Sequence, residues 1–161
     1  LLDYGDFART VQAWASLAAG DPEKILTVPV RVGIDLVTVD SVRESLDAHG
    51  EHYLERVYTA REREDCVRDG VVDPERLAGR FAAKEATLKA LRPGDVGVPW
   101  YTIEVVRDPG GWVDLELSGA AAEVATSSGL TDLALSITHE GGFASAVVIA
   151  GFASGTGETI R

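Results

Sequence analysis

The 161-residue chain has no methionine, a single cysteine and three lysines against twelve arginines. Cys66 alone cannot close an intrachain disulfide or supply a cysteine-based zinc site, which fits a reducing compartment such as the cytoplasm. No stretch approaches the roughly 18 uninterrupted apolar residues of a membrane span, and no basic start followed by an apolar middle and small residues marks a signal peptide. Positive charge is also in deficit. The net charge of −11 argues against nonspecific binding to nucleic acid or anionic lipid, because both would be repelled over the Debye length. Any polyanionic ligand therefore needs a local basic pocket. With methionine absent and Leu1 at the start, the expectation is a processed chain or a piece cut from a longer protein, with fusion partners in cis left open.

What is present is the composition of one soluble globular domain, 45% hydrophobic and 25% charged, with enough apolar material for a core. The pattern divides it into a helical extension over 1–28, a main domain over 29–152 and a tail over 153–161. In the extension Phe7, Val11, Trp14 and Leu17 recur at helical spacing before Gly20-Asp21-Pro22. Val30 to Val39 reads as a strand, with Val30, Val32, Ile34 and Leu36 on one face and Arg31, Gly33, Asp35 and Val37 on the other. A helix is predicted from Asp40 to Ala48, closed by His49-Gly50, and a second charged helical stretch from Glu51 to Asp69. Asp73-Pro74-Glu75 opens a long helix that Arg92-Pro93-Gly94 ends after Leu91. Beyond it come strands at Tyr101 to Arg107 and Trp112 to Leu117, a helix from Ala120 to Ser127, and a hairpin of Leu133 to His139 with Phe143 to Phe152. The order of elements predicts an α+β fold, an antiparallel sheet packed on a long helix.

Within the long helix, Leu77, Phe81, Leu88 and Leu91 form an apolar stripe, and Ala78, Ala82, Glu85 and Lys89 share the neighbouring face. The alanines would let a bulky ligand or a strand come close, and a carboxylate under such cover needs a cation. Glu85 and Lys89 also have the spacing of an ordinary helical ion pair. Asp35, in a strand otherwise of Val, Ile and Leu, wants a partner, or else caps the next helix. His139 ends a strand behind Leu133, Leu135 and Ile137, where a structural or a ligand-binding role is open.

Gly33-Ile34-Asp35-Leu36-Val37, then Leu77-Ala78-Gly79-Arg80-Phe81-Ala82-Ala83-Lys84-Glu85-Ala86 with Lys89-Ala90, then Ser136-Ile137-Thr138-His139 resemble in order and spacing the signature of the holo-acyl-carrier-protein synthase family. That family lies within the 4′-phosphopantetheinyl transferases. Thr59 to Glu62 is similar to its short T-x-x-E segment, and the resemblance spans Val30 to Ala150. It implies the 4′-phosphopantetheinyl transferase fold and transfer of the 4′-phosphopantetheine arm of coenzyme A to a serine of an acyl or polyketide carrier protein. Adenosine 3′,5′-bisphosphate would be released, with Mg²⁺ on the pyrophosphate. By this resemblance Asp35 and Glu85 are the metal ligands, a set that suits Mg²⁺. Lys89 stands near the reacting phosphate, and Arg80, Lys84 and His139 contact the coenzyme A phosphates, His139 the 3′-phosphate. Glu85 takes the serine proton directly or through a metal-bound water.

Val37, two residues after Asp35, is not a third acid, which matches the short homotrimeric branch and implies a site built from two chains. The chain differs from the family in reading Arg92-Pro93-Gly94-Asp95-Val96-Gly97 where a glycine-rich turn is usual. Its first helix carries Asp40, Arg43 and Glu44 where basic residues for an acidic carrier are usual. Two other readings use the same residues: a degenerate relative serving as an oligomerisation or carrier-docking module of a larger synthase, and a metal-dependent hydrolase of a nucleotide-like phosphoanhydride.

Overall fold

The computed structural model describes residues 29–153; the expected helical extension over 1–28 and residues 154–161 of the expected tail lie outside them. Strand β1 (Val30–Thr38) leads into helix α1 (Val39–Val57). Thr38 caps α1 by accepting the Ser41 N–H, so the cap falls to Thr38 and Asp35 is left to another role. Gly50 breaks α1 with φ 51° and ψ −130°, where the sequence predicts one helix to close and another to begin. A six-residue helix α2 (Ala60–Asp65) follows, opened by a reciprocal capping box between Thr59 and Glu62. Two short strands, β2 (Val67–Arg68) and β3 (Val71–Val72), pair before the long helix α3 (Pro74–Leu91).

Helix α3 begins and ends where expected. The Asp73 side chain accepts from the N–H groups of Glu75 and Arg76, with Pro74 in the first turn, and Arg92 closes the helix in the left-handed region. A 3-10 turn (Trp100–Thr102) then feeds the hairpin of β4 (Ile103–Arg107) and β5 (Val113–Leu117). Helix α4 (Gly119–Ser128) ends at Gly129, and β6 (Leu130–Glu140) turns back into β7 (Phe143–Phe152). The main sheet is antiparallel in the order β1-β7-β6. Among the described residues no helix is long and apolar enough to cross a membrane.

The sheet lies on α3 through small side chains. Ala78, Ala82, Ala83, Ala86 and Ala90 of the helix are fully buried, as are Ala146, Val148 and Ala150 of β7 within about one per cent. The closest approach is at Gly33, where an added Cβ would stand 1.8 Å from the Ala86 carbonyl oxygen. The alanine face of α3 therefore receives strands, not a ligand. On β1 the burial is the reverse of what an isolated amphipathic strand would give. Val30, Val32, Ile34 and Leu36 are 56–63% exposed, while Gly33 and Val37 face the helix.

A polar network lies buried between α2, α3 and β4. Glu62 and Lys84 are both fully buried and form an ion pair of 2.7 Å. Glu62 also accepts from the Thr59 and Val105 N–H groups. Lys84 also donates to the Trp100 and Ile103 carbonyls, so every donor of its ammonium has a partner. Burial lowers the Lys84 pKa, and Glu62 opposes that shift.

Cys66 is fully buried beside this network, and burial pushes its thiol up to about 12. At pH 8 the native thiol is then almost entirely protonated and shielded, so it should resist iodoacetamide. Alkylation followed by mass spectrometry should show labelling only when denaturant unfolds the chain; rapid labelling of the native protein would contradict this burial.

Candidate active site

The tight contact at Gly33 brings Asp35, two residues along β1 on the same face, beside the last two turns of α3. Lys89 donates to Asp35 Oδ1 at 2.8 Å and to the Ile34 carbonyl at 2.9 Å. This joins residues 54 positions apart in the chain. Lys89 thus reaches across to β1, and the alternative of a Glu85–Lys89 helical pair is not the one the structure adopts. Asp35 is mostly covered, its side chain 17% exposed against 52% for Lys89. Glu85, one helical turn before Lys89, is half-buried and accepts the Trp100 indole N–H at 2.5 Å.

Among the described residues no three His, Cys, Asp or Glu side chains gather into a ready-made metal cage. Two carboxylates of hard oxygen donors are what Mg²⁺ takes when substrate phosphates and water complete its shell. Asp35 and Glu85 fit that requirement, since their side-chain hydrogen bonds engage Oδ1 of one and Oε1 of the other.

A second cluster lies on the other side of α3. A cavity of about 460 Å³ is lined by Glu75, Arg76, Gly79 and Arg80 of the helix, Arg107 and Trp112 of the β4–β5 hairpin, and Ile137 and His139 of β6. Arg80 is nine-tenths buried and poorly satisfied. Its contacts to Asp65 and the Arg76 carbonyl are long, at 3.5 and 3.4 Å, and its buried Nε has no hydrogen-bond partner. Such a guanidinium is suited to an anion. His139 is 58% exposed and lies 3.5 Å from Glu75, so it is not a buried structural histidine. Trp112 is 79% exposed at the hairpin end.

Of the residues expected to contact coenzyme A phosphates, Arg80 and His139 share this cavity and Lys84 does not. That expectation for Lys84 is corrected by its placement: its ammonium is sealed in the core on Glu62 and two carbonyls, and freeing it would leave Glu62 buried without a counter-charge. Sequence reasoning missed Arg76, Arg107, Trp112 and Trp100. Only Arg76 left a signal, lying one helical turn before Arg80.

At 3.6 residues per turn, Glu85 points about 140° away from Arg80 and about 180° away from Arg76 around the α3 axis. The carboxylates and the basic cavity thus occupy different sides of one helix.

The model of the 4′-phosphopantetheinyl transferase superfamily matches residues 31–147. A holo-[acyl-carrier-protein] synthase of Desulforudis audaxviator is 43% identical over 119 residues, 74% of this chain and 90% of the relative. One from Chloroflexus aggregans is 43% identical over 129 residues, covering 73% and 92%. Among solved structures, the ACPS-CoA complex of Chronobacterium ammoniagenes is 36% identical with a TM-score of 0.69, covering 78% of this chain and 98% of its own. The Helicobacter pylori holo-[acyl-carrier-protein] synthase in complex with coenzyme A is 30% identical with a TM-score of 0.64, covering 74% and 98%. The expected fold is borne out, and the matched span contains the strand, the long helix and the hairpin on which the site is built. The chain therefore belongs to the 4′-phosphopantetheinyl transferase superfamily, as an enzyme of the holo-acyl-carrier-protein synthase type.

Proposed function

We propose that the chain transfers the 4′-phosphopantetheine arm of coenzyme A to a serine of an acyl or polyketide carrier protein, with Mg²⁺, releasing adenosine 3′,5′-bisphosphate. The observation that carries this reading is the Lys89–Asp35 pair at 2.8 Å, with Glu85 one turn away on the same helix. A fixed ammonium beside two carboxylates is the equipment for displacement at a phosphoanhydride. The solved relatives named as coenzyme A complexes support the donor.

The serine Oγ forms the new bond to the phosphorus that carries pantetheine. The bond from that phosphorus to the bridging oxygen breaks, and the oxygen leaves with the adenosine 5′-phosphate. Glu85 takes the serine proton. Lys89 stabilises the negative charge that builds on the phosphate oxygens. Asp35 and Glu85 would hold Mg²⁺, which when bound neutralises charge on the pyrophosphate. At the other end, Arg76, Arg80, Arg107 and His139 offer cationic or hydrogen-bonding partners for the adenosine phosphates, and Trp112 offers a face to the base. Coenzyme A offered with and without an apo-carrier tests this directly. Adenosine bisphosphate should appear only with the carrier; release without it would indicate a hydrolase, and no product a docking module.

Because the carboxylates and the basic cavity lie on different sides of α3, one coenzyme A is best served by the cavity of one protomer and the carboxylates of another. A site shared between copies is what the resemblance to the short homotrimeric branch, carried by Val37, implies, and on that resemblance we read the chain as a homotrimer. The exposed Val30, Val32, Ile34 and Leu36, with Ile149 of the adjoining strand 46% exposed, form an apolar sheet face of the kind that marks a protein interface. Ile34→Glu should cost the protomer little, since Ile34 is 60% exposed within it. In the assembly it would bury an unpaired charge. Light scattering should give about three times 17.1 kDa for the parent chain and 17.1 kDa for the variant, with transfer lost. A fully active monomer would refute the shared site.

A further inference from the structure

We infer that Trp100 is a positioning residue for Glu85, acting through its indole N–H; the inference rests on the proposed role of Glu85 as a cation ligand. Trp100 Nε1 donates to Glu85 Oε1 at 2.5 Å, a hydrogen bond whose acceptor is a carboxylate and which is therefore charge-assisted when Glu85 is ionised. What distinguishes the contact is how firmly the donor is held. The Trp100 ring packs on Phe81, with centroids 5.8 Å apart and planes at 55°. Its backbone carbonyl accepts from Lys84 at 3.1 Å. Phe81, Lys84 and Glu85 belong to one stretch of α3, so a single residue of the following turn grips that stretch at three points.

Lys84 is itself fixed by the fully buried Glu62. A chain of contacts therefore runs from the core ion pair, through the Trp100 backbone, to the indole N–H and the Glu85 carboxylate. A glutamate side chain has three torsions, and an exposed one samples many of them. Holding Oε1 against a rigid donor restricts the carboxylate to one orientation and leaves Oε2 for a cation. A partly buried indole needs only some acceptor, and water would serve. Giving it to the carboxylate proposed to bind metal is the arrangement by which outer hydrogen bonds orient metal ligands.

The test uses Mn²⁺ as a paramagnetic probe in the presence of coenzyme A, read by electron paramagnetic resonance, on the parent chain, Trp100→Phe and Trp100→His. Removing the N–H while keeping a ring on Phe81, Trp100→Phe should weaken Mn²⁺ binding by about 10- to 100-fold. Turnover should fall while the KM for coenzyme A changes little, because the basic cavity is untouched. Trp100→His, which keeps a ring N–H, should recover part of both losses. In ¹⁵N-labelled parent protein the Trp100 indole N–H resonance should move on Mg²⁺ addition with coenzyme A present, a readout that needs no variant to fold. Unchanged Mn²⁺ affinity in Trp100→Phe, or an indole resonance indifferent to Mg²⁺, would overturn this inference alone. Failure of the parent chain to bind Mn²⁺ would overturn the proposed metal role together with it.

Discussion

Asp35→Ala and Glu85→Ala should each lower Mg²⁺-dependent transfer by about a thousandfold while leaving the fold in place. A metal ion contributes several kcal/mol of transition-state stabilisation, and three decades of rate correspond to about 4 kcal/mol. The fold should tolerate both changes because neither carboxylate belongs to the buried core; Asp35 and Glu85 rest at the rim where β1 meets α3. Asp35→Ala also releases Lys89 from its 2.8 Å contact, so its effect should include misplacement of the ammonium. Lys89→Ala should then lower turnover more than coenzyme A affinity, as expected of a contact that strengthens in the transition state. Steady-state kinetics across a Mg²⁺ series, with circular dichroism on each variant, would check these outcomes. Near-normal rates in both carboxylate variants would dismiss the metal assignment.

The next largest effect falls on stability. Lys84→Met should destabilise the chain by about 3–5 kcal/mol, because Glu62 would be left buried and charged without its partner. That corresponds to a loss of roughly 10 °C in Tm for a domain of this size. The double variant Glu62→Leu with Lys84→Met should recover only part of the loss. Glu62 also accepts from the Thr59 and Val105 N–H groups, and each buried donor left without an acceptor costs about 1–3 kcal/mol. Calorimetry of the single and double variants would measure both steps. A Lys84→Met Tm within 2 °C of the parent would show that the buried pair contributes no such stability.

The contrast between Lys84 and its neighbour shows where sequence reasoning stops. Adjacent residues on a helix point about 100° apart, so one of the two faces the core and the other the rim. Composition gives no reason to choose, and the deciding facts are Glu62 and the carbonyls of Trp100 and Ile103, which arrive from distant elements. The same limit hid Trp112 and Arg107, carried into the cavity by the β4–β5 hairpin. By comparison, the start of α3 was legible from Asp73-Pro74 and the break in α1 from Gly50, because each depends on a local backbone requirement. The inward and outward faces of β1 were legible as two sets, but which set is buried depends on what covers the sheet. The apolar set is exposed among the described residues, and it is this face that the proposed assembly would cover.

The lysine–aspartate pair inherits its spacing from Gly33. Because the Ala86 carbonyl occupies the space a methyl group would need, strand and helix meet backbone to backbone, with no side chain between them to serve as a variable spacer. The separation of Asp35 from Glu85 and Lys89 is thus a fixed gauge, set by peptide dimensions. Sequence drift in the surrounding core can alter how firmly the two elements are clamped, but it has little means of retuning the distance between them. Gly33→Ala would change that gauge itself, forcing apart the two elements that carry the site while every acidic and basic group in it remained intact.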